Sequence, residues 1–119
     1  VLDLKAFLPA RDLATSKRFY LDLGFHEVWD SGDACELELG GHRFILTDVF
    51  VEEHAANSMM TLIVADADPW WEHITRAGLQ EKYGLRIARP PALQPWGLRV
   101  LYLSDPSGVL WHIADRRRP

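Results

Sequence analysis

The hydrophobic positions follow two periods, and each change of period marks an element. Leu2, Leu4, Ala6 and Leu8 alternate with Asp3, Lys5 and Phe7, which predicts a strand that Pro9 ends. Asp12 is placed as an N-cap, and Leu13–Leu23 has helical spacing, with Leu13, Ser16, Tyr20 and Leu23 on one stripe. Gly24 closes that helix. Phe25–Trp29 reads as a second strand, Asp30–Asp33 as a hairpin turn, and Cys35–Leu39 as a strict alternation with Glu36 and Glu38 on the polar face. Gly40-Gly41 turns the chain into a fourth strand, His42–Val51. Glu52–Ser58 is polar, lacks strand period, and reads as a linker.

The order then repeats. Met59–Val64 is a strand, and Asp68-Pro69 opens a helix that carries Trp70, Ile74 and Ala77 on one stripe and ends at Gly78. Arg86–Leu93 is a weaker strand, interrupted by Pro90-Pro91. Gly97–Leu103 and Val109–Ala114 flank the turn Asp105-Pro106-Ser107-Gly108, whose residues suit a tight reversal. The fold class is therefore α+β, with two βαβββ modules forming cupped mixed sheets. Module one is 1–51, the linker 52–58 and module two 59–119. Neither half has enough core to stand alone, so the modules must pair within the chain or between two chains.

Composition narrows this picture. The 119 residues suit one domain, and no apolar run is long enough for a transmembrane helix. Val1–Ala6 lacks the pattern of a signal peptide, and Cys35 is the sole cysteine, so a cytoplasmic protein is expected. A net charge of −4 argues against nucleic acid as a partner, and the basic tail Arg116–Arg118 reads as a solvated end. His26, His42, His54 and His73 have no ligand-type spacing and read as surface residues. Flanking glutamates are expected to raise the Cys35 thiol pKa, which makes it a poor nucleophile.

Two segments carry a family resemblance. Asp12–Tyr20 followed by Leu23-Gly24-Phe25 looks like the first helix of the vicinal oxygen chelate superfamily, which includes glyoxalase I, extradiol dioxygenases and bleomycin-resistance proteins. Asp105–Gly108 and its following strand resemble the closing hairpin of that superfamily. Pro95-Trp96-Gly97 ahead of that hairpin, with His112, is most similar to the bleomycin-binding branch. The resemblance implies a C2 homodimer with grooves between two chains, with room for arm exchange. It also places the superfamily's metal ligands at Lys5, near Met59 or Met60, and at His112. Lys5 has no lone pair to offer at neutral pH, and thioethers suit neither a hard cation nor an imidazole-type site, so no metal and no cofactor are expected.

Alternation places Lys5, Phe7, Glu36, Glu38 and His112 on the cup face, and Leu8, Cys35, Leu37, Trp111 and Ile113 under the helices. Trp70, Trp71 and Trp111 read as packing residues. The branch resemblance adds Trp29 and Trp96 as stacking platforms and Asp30 and Asp33 as anionic partners. The chain departs from that branch at Ala34, where an aromatic would be expected, and at Glu36, where a small residue would be. The candidate ligand-binding set is Lys5, Phe7, Trp29, Asp30, Asp33, Glu36, Trp96 and His112, with no catalytic residue assigned. The expected function is sequestration of an aromatic or cationic small molecule, such as a bleomycin-like drug, without membrane or nucleic-acid partners. Two enzyme readings stay open: a metal-dependent lyase or dioxygenase with non-standard ligands, and a metal-independent isomerase using His112, with Lys5 as its acid/base partner.

Overall fold

The computed structural model describes residues 1–117. Its first module comprises β1 (Phe7–Pro9), α1 (Leu13–Leu23), β2 (His26–Asp30), β3 (Ala34–Leu39) and β4 (His42–Thr47). A short helix, α2 (Glu52–Asn57), leads to the second: β5 (Met59–Ile63), α3 (Ala67–Arg76), α4 (Leu79–Tyr83), β6 (Ala88–Leu93), β7 (Arg99–Ser104) and β8 (Leu110–Asp115). Each module makes one four-stranded sheet, ordered β1-β4-β3-β2 and β5-β8-β7-β6. In both, the first strand runs parallel to the last and the other pairs are antiparallel, as expected for two βαβββ units.

The helix-facing parity follows the alternation in the sequence. Leu8, Cys35, Leu37, Trp111 and Ile113 are buried in a core shared by both modules, with Phe19, Tyr20 and Leu23 of α1 above them. Asp12 caps α1 by accepting the Thr15 N–H (3.1 Å), and Gly24 ends it at φ 127°, where a Cβ would be strained.

The modules are joined through buried polar contacts. Tyr20 Oη donates to Asp105 Oδ2 (2.7 Å) and accepts from Trp111 Nε1–H (2.8 Å). Asp105 Oδ1 accepts the Ser107 and Val109 N–H groups (2.9 Å each), which sets the closing turn. Ser107 Oγ accepts the Arg11 N–H (2.9 Å) and shares a hydrogen bond with Ser16 Oγ (3.2 Å). Burial pushes the Asp105 carboxyl above the usual aspartate range, while the Tyr20 hydroxyl and the backbone donors pull the other way. Around Tyr20 the rings of Phe19, Phe25, Phe44 and Trp111 meet edge to face, with centroids 5.0–5.7 Å away.

Several elements differ from the sequence reading. The first strand is only Phe7–Pro9: its pairing with β4 runs from Phe7↔Ile45 to Pro9↔Thr47, and the alternating residues before it are not in a strand. Pro9 sits within this edge strand instead of ending it, which an edge position tolerates. The predicted fourth strand stops at Thr47. The segment read as a linker contains α2, anchored by buried Ala55; six residues are too few to display a helical period. Helix α3 begins at Ala67, not Asp68: Asp66 is the cap and accepts the Asp68 N–H (3.0 Å). Pro69 then stands in the first turn, and Ala77 is exposed rather than on the buried stripe. Gly78 does not release the chain into a loop; it leads into α4, which is bounded by Gly78 and Gly84, both at positive φ. Arg117 pairs with Asp66 Oδ2 (2.6 Å), so the described part of the tail is docked; Arg118 lies outside the described residues.

Tyr20→Phe removes the donor to Asp105 and strands the Trp111 indole N–H. It should cost about 2–4 kcal/mol of stability, seen as a lower urea midpoint with an unchanged slope.

Candidate functional site

The outer face of the first sheet is defined by strand register. Phe7 pairs with Ile45, Ile45 with Glu36, and Glu36 with Trp29, so these four side chains form one row across the sheet. Phe7 and Trp29 remain 64% and 40% exposed, whereas Glu36 is only 1% exposed. Its two carboxylate oxygens are saturated. Oε1 accepts from Lys5 Nζ (3.1 Å) and Arg43 Nη1 (3.2 Å); Oε2 accepts from Lys5 Nζ (2.8 Å) and Trp29 Nε1–H (3.0 Å). The Lys5 ammonium, with Trp29 and Arg43, holds the Glu36 carboxyl below the usual glutamate range. Glu36 is thus the anchor of Trp29 and of the N-terminal segment, and its oxygens are already occupied by chain donors. Arg43 escaped the sequence reading, although its place on β4 two residues from Ile45 follows once the β3–β4 register is known.

Asp30 and Asp33 are placed differently from each other. Asp30 accepts from Lys17 Nζ (2.7 Å) and the Gly32 N–H (2.7 Å), and these contacts lower its pKa. Lys17 also pairs with Glu27, and its own pKa is raised. Asp33 is exposed and accepts from Ser31 Oγ within its turn (2.8 Å). Trp96 stands in the loop after β6 and is 59% exposed. Trp29 lies on β2, the outermost strand of the first sheet, and Trp96 follows β6, the outermost strand of the second. Cys35 is buried, and burial first, then the charge of Asp30, pushes its thiol pKa up to about 11.

His112 lies on the outer face of the second sheet. It pairs with Thr61 on β5 and Tyr102 on β7, and its ring meets Tyr102 edge to face at 4.8 Å. Its Nε2 is the one buried side-chain nitrogen or oxygen among the described residues that lacks a hydrogen-bond partner. Lys5 precedes β1 and is bound to Glu36 on the first sheet, whereas His112 stands on β8 of the second, so the structure does not pair them as acid and base. Thr61 and Tyr102 escaped the sequence reading. The turn at Asp105–Val109 carried the signal, because it fixes which β7 residue faces His112. A cleft of about 290 Å³ opens at the seam of the modules and is lined by Arg43, Thr61, Phe25, Leu39, Met60 and Trp111.

The residues at the superfamily's ligand positions do not fit a metal. Lys5 is an ion-paired ammonium, Met59 and Met60 are thioethers, and only His112 offers a suitable donor. Among the described residues, no group of three or more His, Cys, Asp or Glu side chains is placed to hold an ion.

Paired βαβββ modules, each with one four-stranded mixed sheet, define the class of fold. The family model of the glyoxalase/bleomycin resistance protein/dioxygenase superfamily matches residues 4–113, and the chain belongs to that superfamily. A search of curated proteins gives no match. Among solved structures, the chain is similar to a bleomycin resistance determinant encoded on the transposon Tn5, with 24% identity, TM-score 0.81, and 99% of this chain and 100% of that one covered. It is similar to a bleomycin-binding protein complexed with bleomycin, with 24% identity, TM-score 0.79, and 98% and 100% covered. A third is the bleomycin-binding protein from bleomycin-producing Streptomyces verticillus complexed with copper(II)-bleomycin, with 22% identity, TM-score 0.75, and 95% and 94% covered. At these identities the likeness carries the fold; ligand chemistry rests on the side chains above.

The lowered Glu36 pKa gives a pH prediction. Its stabilising contribution is present above the unfolded value of 4.5 and is lost as pH falls through the lower folded value. Glu36→Gln should therefore flatten the loss of stability below pH about 4.5, measured by thermal melts across an acid series.

Proposed function

We propose that this chain is a small-molecule-binding protein of the bleomycin-resistance type. In this reading it works as a cytoplasmic homodimer, without metal or cofactor, and sequesters an aromatic compound between the outer sheet faces of two copies. The observation that carries the reading is Trp29: a half-exposed indole fixed on an outer face by its N–H bond to buried Glu36, in one row with exposed Phe7. A planar ring held in one orientation loses little entropy when a second ring stacks on it. The bleomycin complexes among the structural neighbours support the ligand class. The cationic part of the expectation has less support, because Asp30 is already paired with Lys17.

The dimer reading rests on what a single chain leaves uncovered. β1 and β5 are edge strands, and Leu2, Leu4, Phe7, Met59 and Ile63 are exposed around them. Free edges with apolar flanks need cover. The Glu52–Ser58 segment between the modules would allow arm exchange between copies.

Bleomycin titration should quench tryptophan fluorescence saturably, and Trp29→Ala or Trp96→Ala should each weaken binding about tenfold, equivalent to ~1.4 kcal/mol. Absence of quenching would remove bleomycin as the ligand. Sedimentation should give a dimer, and a monomer at all concentrations would remove the dimer reading.

A further inference from the structure

The outer face of the second sheet differs from the first in charge. The pairing places Thr61, His112, Tyr102 and Arg89 in one row across β5, β8, β7 and β6. The described residues give none of these four side chains a hydrogen bond, His112 Nε2 included, and the His112 imidazole meets the Tyr102 ring edge to face. The neighbouring rows are mainly apolar, running from Ile63 through Ala114 to Val100 on one side and from Met59 through Leu110 to Ser104 on the other, where the Ser104 hydroxyl is buried and bonded to the Ile87 backbone. No described strand position on this face is an Asp or Glu; Asp115 points to the opposite side, where Arg99 and the Ala67 N–H hold it. In a chain of net charge −4, this sheet face thus carries a guanidinium and no carboxylate.

The chemistry of the row is that of a donor set. Threonine and tyrosine hydroxyls, an imidazole and a guanidinium can all donate, and only donors are shared by all four. His112 is partly exposed on this face and its Nε2 has no partner within the described chain, so the imidazole can turn to bond an outside group. Mainly apolar rows on both sides suit a flat hydrocarbon skeleton. We infer that this row binds the anionic end of an aromatic ligand, a carboxylate or a comparable oxyanion, through His112, Tyr102, Thr61 and Arg89. The inference deepens the preceding reading by naming the ligand's charge, and it rests on that reading for the ring that stacks on Trp29.

The test uses the full chain and three matched probes: 2-naphthoate, its methyl ester, and 2-naphthylmethylammonium. Calorimetry should rank the acid at least tenfold tighter than the ester, with the ammonium weakest. His112→Leu and Arg89→Gln should each bring the acid within threefold of the ester while leaving the melting temperature close to that of the parent. The acid, and not the ester, should shift the His112 Nε2 resonance in nitrogen-15 spectra. Equal binding of all three probes, no binding of the acid, or an acid preference that survives both substitutions would overturn the inference. Trp29→Ala separates the two readings. If it weakens acid and ester alike, both stand; if the acid preference persists at full affinity, the Trp29 groove fails and the donor row stands.

Discussion

The Tyr20 hydroxyl is the point on which the two halves of the molecule depend. It accepts a hydrogen bond from the indole N–H of Trp111 on β8 and donates one to Asp105 in the turn that precedes β8. A helix of module one is thereby bonded to the closing hairpin of module two at a site where water cannot compete. Asp105 must remain a buried carboxylate at 2% exposure, which is tolerable only because Tyr20 and two backbone N–H groups satisfy it. The edge-to-face rings around Tyr20 fill the rest of the space. Because the modules meet through their helix-side surfaces, the outer sheet faces are left free, and whatever chemistry the protein performs on a ligand is pushed to those faces.

The two faces are not copies of each other. On the first, a carboxylate gathers two cations and an indole and is neutralised by them. On the second, donors stand in a row with no acid near them. The two modules share one plan, yet their outer faces differ: the first presents an indole held by an ion-paired carboxylate, the second a row of side chains with no carboxylate among them.

Much of this was legible in the chain. Strict alternation in Cys35–Leu39 and Val109–Ile113 determined which side of each strand lies under a helix, since reversing the parity would expose Leu37 and Ile113. Asp12 and the Asp105 turn were readable because their side-chain oxygens act within a few residues. What sequence could not give was any contact made across distance. The saturation of Glu36 needs Lys5, Trp29 and Arg43 from three other strands or segments. Short helices α2 and α4 show no period because each is little more than a turn, and Asp66 displaced Asp68 as a cap because the choice depended on Asp115 receiving the Ala67 N–H. The Tyr102–His112 pair was recoverable from the turn, but only by counting outward from Asp105.

The Lys5–Glu36–Trp29 chain of contacts has an optical consequence. The carboxylate that holds the indole N–H also holds the ammonium of the N-terminal segment. Lifting that segment would leave Glu36 with one fewer cation and change the electric field along the indole axis. Tryptophan emission responds to such a field, so Trp29, one of five tryptophans, would report through its share of the emission whether Lys5 is seated on Glu36.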